Sequence, residues 1–236
     1  MSSNATGIDT LTATLTSGPL KNQLQAVYEL SELDATGDRI LINFLKAELI
    51  EQKNLPTAIH GSAYQRLRAS DLDSTKTFIN QHFPNGLLTP QSERGIDYSE
   101  LQMLLVKQDY QSADKLTLQK LCELAGDKAV QRKWVYFTEV NQLPIADLRR
   151  IDRLWRIYSE DRFGWSKQYE LWIRLGKDWE RLWTQLIWKS AEGTWTRYPT
   201  EFIWDLSAPV GHLPLTNQLR GVRMMDSLLS HPAWRQ

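Results

Sequence analysis

The chain has 236 residues, enough to bury about 70–75% of the surface of the unfolded chain without a disulfide or a metal. Its 28 lysines and arginines balance 28 aspartates and glutamates, which argues against a dedicated surface for nucleic acid or anionic membranes. The single cysteine, Cys122, excludes an internal disulfide and lies on an apolar stripe, so we expect a reduced thiol in the core. No apolar run approaches the roughly 20 residues of a membrane span, and we expect a cytoplasmic protein.

The first part of the sequence has the pattern of short helices. Residues 1–18 are rich in Ser and Thr, without a basic residue or an apolar core, and are expected to form a flexible start rather than a secretion signal or transit peptide. Helical periodicity then begins after Pro19, Asp38, Pro56 and Asp71, with a break at Gly37. Four short antiparallel helices with short links predict an N-terminal helical bundle over residues 1–82.

The second part, residues 83–236, is predicted to be a larger helical core domain. Residues 84–95 carry two prolines and two glycines and indicate a linker, after which Asp97 and Glu100 form the pattern of a capping box. Helical patterns continue to the C-terminus, including one over residues 130–140. The one β-favouring run, residues 195–204, is interrupted by Pro199 and is predicted to be an ordered loop. The fold class is therefore all-α, with long functional loops.

All ten tryptophans lie between Trp134 and Trp234. Several recur at helical spacing, as in the stripe formed by Leu148, Ile151, Leu154, Trp155 and Tyr158, which predicts that most of them belong to the core. A tryptophan also offers a wide apolar face and one N–H donor, which suits a surface that receives flat, apolar partners. The sequence therefore predicts a large aromatic core with room for such a surface.

The sequence shows no motif for catalysis or metal binding. Its four histidines are too scattered for a short metal-ligand motif, and no paired cysteines occur. A glycine-rich phosphate loop, a nucleophile elbow and an H-E-x-x-H helix are all missing from the sequence. A metal site, nucleotide hydrolysis and the common hydrolase chemistries therefore lack support in the sequence.

The end of the chain is the most informative segment. Residues 206–214 predict a rigid loop that leads into a last helix with two faces. Its apolar face is formed by Leu215, Leu219, Val222, Met225 and Leu229, and its polar face by Asn217, Arg220 and Arg223 over about 9 Å of helix. Arginine can hold a carboxylate in bidentate fashion. The polar face is either a solvated basic surface or, beside the aromatic residues, a site for a ligand with one apolar face and an acidic edge, such as a porphyrin.

Five segments resemble the genomes-uncoupled tetrapyrrole-binding regulator of magnesium chelatase from cyanobacteria and chloroplasts. They are GIDY at 95–98, WVYFTEV at 134–140, RFGWS at 162–166, WTRYP at 195–199 and the run from 206 to 223. The resemblance implies an all-α core shaped like a cupped hand that binds protoporphyrin IX and magnesium protoporphyrin IX. It also implies stimulation of magnesium chelatase in chlorophyll biosynthesis, through the large porphyrin-binding subunit. The resemblance further implies a regulator that is not an enzyme and requires no cofactor.

The resemblance also implies which residues bind the porphyrin. They are Phe137 and Val140 on a palm helix, Tyr198 and Phe202 on a loop, and Asn217, Arg220 and Arg223 on the last helix. The residues themselves leave two alternatives open, in which Phe137 belongs to the core and Tyr198 anchors the loop. We expect a monomer without nucleic-acid partners or a transmembrane segment; any contact with a thylakoid or plasma membrane would be peripheral.

Two other functions compete with porphyrin regulation. Exposed aromatic residues beside arginine are common at protein interfaces, so a helical interaction scaffold that binds no tetrapyrrole is the first alternative. The second is an enzyme that modifies tetrapyrroles, which would need a perturbed acid or a metal ligand in the pocket.

Overall fold

The computed structural model describes residues 2–89, 92–215 and 222–235, with side chains from residue 7 onwards. The chain divides into two compact units, Met1–Thr89 and Pro90–Gln236. Within the described residues, all regular secondary structure is helical apart from one isolated antiparallel bridge between Lys189 and Trp195. The predicted all-α fold class is confirmed.

Five α-helices form the first unit. They are α1 (Ser2–Thr16), α2 (Leu20–Ser31), α3 (Asp34–Leu45), α4 (Ala58–Ala69) and α5 (Asp73–His82), and a π-helical stretch, Lys46–Glu51, continues α3. The starts predicted at Pro56 and Asp71 correspond to α4 and α5, each two residues later. Leucines and valine at the predicted helical spacing on α2 are buried, namely Leu24, Val27 and Leu30.

Two expectations for this unit are wrong. The start that was expected to be flexible is the helix α1, which packs on α2 and buries Leu15. Gly37 does not break a helix but lies inside α3, where a Cβ would collide with the backbone carbonyl of Leu30 on α2. This glycine therefore permits a close approach of α2 and α3 and does not form a turn.

The second unit contains eight α-helices within the described residues. They are α6 (Ser99–Val106), α7 (Tyr110–Ala125), α8 (Asp127–Arg132), α9 (Phe137–Val140), α10 (Ile145–Ile157), α11 (Trp165–Arg174), α12 (Trp179–Gln185) and α13 (Val222–Leu229), followed by a 3₁₀ turn, Pro232–Trp234. Cys122 on α7 is buried as expected, and burial raises the pKa of its thiol to about 11.

Aromatic side chains fill the core of the second unit. The predicted stripe on α10 is buried along its whole length, and the indole N–H of Trp155 donates to the hydroxyl of Thr117 at 3.0 Å. Six of the ten tryptophans are buried, namely Trp155, Trp165, Trp172, Trp183, Trp188 and Trp234. This confirms that most of them have a structural role. Within the described parts of the chain, no helix is both long and apolar enough to cross a membrane.

Candidate ligand-binding site

The segment predicted as one helix over residues 130–140 is two helices. Lys133 adopts the left-handed conformation, with φ of +61°, and ends α8; the chain then runs extended to Tyr136, and α9 begins at Phe137. The single turn of α9 leaves Phe137 40% exposed, whereas Val140 is completely buried. The alternative that Phe137 is a core residue is therefore wrong.

Arg132 fixes the start of this turn. Its guanidinium donates to both carboxylate oxygens of Glu139 at 2.7 and 2.8 Å and lies 4.2 Å from the ring centroid of Tyr136. The same carboxylate accepts the backbone N–H of Tyr136 at 2.8 Å. Although burial acts in the opposite direction, these hydrogen bonds lower the pKa of Glu139. The ionised carboxylate therefore fixes the N-terminal end of α9, where the exposed ring of Phe137 lies.

Arg223 on α13 extends over this aromatic surface. Helix α13 packs against α9, and the guanidinium carbon of Arg223 lies 5.6 Å from the ring centroid of Phe137. Arg223 is exposed, whereas Met225 and Leu229 are buried. The described part of the last helix therefore has the two faces predicted from its sequence.

Two of the predicted ligand-binding residues, Asn217 and Arg220, lie outside the described residues. The same holds for Leu219 on the predicted apolar face. Their roles stay predictions.

Tyr198 and Phe202 lie together on the connection between α12 and α13. Phe202 is 6% exposed and belongs to a core cluster that includes Met225 and Leu229 of α13. The ring of Tyr198 is 45% exposed and packs edge-on against Phe202 and Trp204, with ring centroids 6.0 and 5.9 Å away. Phe202 therefore packs beside α13, as does α9, which carries Phe137.

Local hydrogen bonds hold the part of the connection that carries Tyr198. The carboxylate of Glu201 accepts the backbone N–H of Arg197 at 2.8 Å, and the indole N–H of Trp204 donates to the carbonyl of Pro199 at 2.9 Å. The backbone N–H of Thr196 donates to the carbonyl of Trp188 at 3.0 Å. The prediction of an ordered loop is confirmed.

Residues 206–214 are held by α11. The side-chain amide of Gln168 donates to the carbonyls of Gly211 at 3.0 Å and of Pro214 at 2.8 Å. Gly211 has φ of +82°, and a Cβ there would lie 2.9 Å from a methyl carbon of Leu171. The positive φ and this close approach both favour glycine at this point, and the hydrogen bonds from Gln168 agree with the loop predicted here.

His212 is a structural residue at the centre of this loop. Its Nδ1 lies 2.6 Å from the carbonyl of Leu186, and its Nε2 accepts the backbone N–H of Ile203 at 3.2 Å. The ring must be neutral to accept at Nε2, and burial lowers the pKa of His212 accordingly.

Asp114 on α7 holds the chain where residues 206–214 end. It is buried, and one oxygen of its carboxyl group accepts the backbone N–H of Leu215 at 2.7 Å. Burial raises the pKa of Asp114 to about 7, and burial together with the charge of Asp114 raises the pKa of Tyr198 to about 12. The ring of Tyr198 is held in the loop by its packing against Phe202 and Trp204, although it is about half exposed.

The sequence pattern predicted no role for Asp114. The one signal in the sequence is its position on the apolar face of α7, four residues after the buried Tyr110 and three before the buried Thr117. A carboxyl at such a position has to find hydrogen-bond donors inside the protein, but the sequence does not show which donors they are.

The arrangement offers two kinds of recognition. The rings of Phe137 and Tyr198 are each about half exposed, and a guanidinium lies beside the first of them. A flat apolar ligand with a carboxylate at its edge would match these groups. Its plane would lie on the aromatic rings, and the arginine would bind its carboxylate through parallel hydrogen bonds. No group of three or more His, Cys, Asp or Glu in the described ranges could hold a metal ion.

Comparison with known proteins matches both parts of the chain. The model of the GUN4-like family matches residues 91–232, and that of the ARM-like repeat domain at the N-terminus of GUN4 proteins matches residues 1–84. The chain belongs to the GUN4-like family. A Ycf53-like protein from Synechocystis sp. is 46% identical over 216 residues, covering 92% of this chain and 91% of that protein.

One further relative and two solved structures match a smaller share of this chain. A chloroplastic tetrapyrrole-binding protein from Arabidopsis thaliana is 38% identical over 145 residues, which is 58% of this chain and 55% of that protein. The solved structure of GUN4 from Chlamydomonas reinhardtii has a TM-score of 0.59 and 37% identity, covering 63% of this chain and 95% of that one. Ligand-free GUN4 from Arabidopsis thaliana has a TM-score of 0.55 and 38% identity, covering 59% and 98%.

Proposed function

We propose that this protein binds protoporphyrin IX and magnesium protoporphyrin IX on its second unit and stimulates magnesium chelatase in chlorophyll biosynthesis. It does so without catalysing a step and without a cofactor of its own. Membership of the GUN4-like family supports the proposal, as does a relative named for tetrapyrrole binding. The ligand-binding residues would be Phe137, Val140, Tyr198, Phe202, Asn217, Arg220 and Arg223.

The pairing of Phe137 with Arg223 carries this proposal. The ring of Phe137 is 40% exposed, and an apolar macrocycle lying on it would remove apolar surface from water. The adjacent guanidinium of Arg223 would bind a propionate at the edge of that macrocycle. Burying roughly 400 Å² of porphyrin surface contributes about 10 kcal/mol before the entropy of association is subtracted. Micromolar or tighter binding is therefore accessible without a bond to a metal.

The proposed residues have different parts in this site. Phe137 and Tyr198 have exposed rings and can meet the ligand directly. Val140 and Phe202 are buried and would support these rings from below, so a direct contact with the ligand requires their neighbours to move.

We further propose that the partner in the chelatase is the large porphyrin-binding subunit. The protein would act as a monomer in the cytoplasm, with any contact with thylakoid or plasma membrane being peripheral. A relative named as chloroplastic supports a photosynthetic setting.

A titration of the full chain with magnesium protoporphyrin IX tests the proposal. Saturable shifts of the Soret band and quenching of tryptophan emission are expected, and Phe137→Ala is expected to weaken binding at least fivefold.

The rate of magnesium insertion by purified chelatase, measured with and without the protein, tests the regulatory part of the proposal. Absence of binding would favour an interaction scaffold, and conversion of the porphyrin would favour an enzyme.

A further inference from the structure

Helix α12 ends with an isoleucine in a conformation that favours glycine. The backbone N–H of Ile187 donates to the carbonyl of Thr184 at 3.1 Å, and that of Trp188 donates to the carbonyl of Trp183 at 2.9 Å. These two bonds form a Schellman motif, whose left-handed residue is usually glycine because a Cβ there crowds the following carbonyl oxygen. Here that residue is Ile187, with φ of +54°.

Two other helices of the second unit end in the same motif. Helix α11 ends with Gly176, whose φ is +70°, and α6 ends with Gln108, whose φ is +57°. Of the eight non-glycine residues with positive φ in the described ranges, Ile187 is the one with a β-branched side chain. Such a side chain is an outlier in the left-handed region. Its backbone conformation at Ile187 therefore costs the fold stability.

Core packing does not account for this isoleucine. Its side chain is 49% exposed, whereas those of Leu186 and Trp188 on either side are completely buried. Ile187 lines a groove of about 660 Å³ beside α12, together with Leu175 and Pro209. Residues held in strained conformations cluster at functional sites. The strain and the exposure of Ile187 therefore point to a function for the groove.

The charges at the groove favour an acidic partner. Arg181 lines the groove, is exposed and forms no ion pair with any residue that the structure describes. Glu180, which also lines the groove, is paired with Lys189 at 2.6 Å. The guanidinium of Arg181 thus lies at the same groove as the apolar side chain of Ile187. A carboxylate next to an apolar side chain would complement both residues.

The exposure of the groove favours a protein over a small molecule. A small-molecule pocket buries most of its ligand. Most residues that line this groove are exposed, and the remaining two, Leu175 and Pro209, are half-buried. A small ligand would remain largely in water here, whereas the surface of a second protein would cover the groove. Protein interfaces are also enriched in arginine.

We propose that this groove is a docking surface for the large subunit of the chelatase, which would insert an apolar side chain next to a carboxylate. Ile187 would be the apolar anchor, and Arg181 would bind the carboxylate. This inference rests on the proposed function, because it assigns the surface by which the regulator meets that subunit. Of the proposed porphyrin-binding residues that the structure describes, none lines the groove, so docking and porphyrin binding can be measured separately.

Ile187→Gly is the most direct test. Glycine suits the left-handed conformation, so the melting temperature should stay the same or rise, whereas loss of a purely structural isoleucine would lower it. Affinity for magnesium protoporphyrin IX should stay within twofold of wild type. The protein concentration that half-saturates the stimulation of chelatase should increase at least fivefold, because the apolar anchor is missing. A lower melting temperature with normal stimulation would overturn the proposal.

Gln108→Gly is the matched control, since it makes the same change at the same position of a Schellman motif. Gln108 is exposed and does not line the groove. Stimulation and porphyrin affinity should both equal those of wild type. A loss of stimulation as large as that of Ile187→Gly would attribute the effect to the backbone and contradict a role for the isoleucine side chain.

Arg181→Glu tests the charge at the groove. The reversed charge would repel the partner's carboxylate, so the half-saturating concentration should increase at least tenfold, with porphyrin affinity and melting temperature close to those of wild type. Arg181→Lys keeps the charge and should lie between wild type and Arg181→Glu. Equal stimulation by all three proteins would overturn the assignment of an acidic partner segment.

Binding of the purified large subunit to the full chain separates this inference from the proposed function. If wild type binds and stimulates, and Ile187→Gly and Arg181→Glu do so equally well, the groove is not the docking surface and the proposed function stands. If wild type does not bind the large subunit, the regulatory part of the proposed function fails, and this inference fails with it. Sedimentation tests for a second copy in the groove: a wild-type dimer that Arg181→Glu dissociates would overturn the proposal.

Discussion

Replacing Arg223 by alanine tests the recognition of the acidic edge of the porphyrin. The guanidinium is exposed and lies 5.6 Å from the ring centroid of Phe137, so its loss from the free protein removes one exposed cation–π contact of about 0.5–1 kcal/mol. The free energy of unfolding should therefore fall by less than about 1 kcal/mol. A charge-assisted hydrogen bond to a propionate contributes about 1–3 kcal/mol, so binding should weaken roughly 5- to 150-fold.

The assay compares two ligands. Affinity is measured by the shift of the Soret band for a porphyrin diacid and for its propionate diester, which lacks the charges. Arg223→Ala should weaken binding of the diacid and leave binding of the diester nearly unchanged. Equal losses for both ligands, or no loss for the diacid, would refute the pairing of guanidinium and carboxylate.

Two control variants distinguish a loss of ligand recognition from the effects of removing a charge or of destabilising the fold. Arg174→Ala removes an exposed arginine of α11 that forms no ion pair within the described residues, and it should leave both affinities unchanged. Met225→Ala removes a buried side chain of α13, and the cavity should cost about 2–5 kcal/mol of stability. Melting temperature, measured for each variant, distinguishes these effects.

Further predictions concern the domains, the loop and two buried residues. Residues 90–236 alone should fold by circular dichroism and bind porphyrin within about twofold of the full chain, because every proposed ligand residue lies there. Amides 194–201 should exchange more slowly with porphyrin bound, because the ligand would cover this loop; unchanged exchange at saturation would contradict contact between the loop and the ligand. Since burial raises the pKa of Asp114 to about 7, its ionisation should lower the free energy of unfolding as pH rises from about 4 to 7. Asp114→Asn should therefore gain stability relative to wild type over that range in denaturant titrations. Gly211→Ala should lower the melting temperature, since a Cβ would collide with Leu171 at positive φ.

Helical periodicity predicted the stripe on α10 and the buried tryptophans, because burial of one face of a helix leaves a repeat that can be read in the sequence. The sequence pattern gave a wrong prediction at Gly37, where the missing side chain allows two helices to pack closely. It was also wrong at Lys133, whose left-handed backbone conformation divides residues 130–140 into two helices. Neither feature alters the apolar repeat, so the pattern could not show them.

The sequence by itself determined the helical class, the concentration of aromatic residues in the second part and the two faces of the last helix. The tertiary structure alone decided that Phe137 is exposed beside Arg223, that His212 is neutral and buried, and that Asp114 accepts the backbone N–H of Leu215. The spacing of apolar residues shows only which face of each helix is directed towards the core. Hydrogen bonds between residues up to 101 positions apart leave no repeat in the sequence, because they depend on how the chain brings a buried carboxyl to its donors.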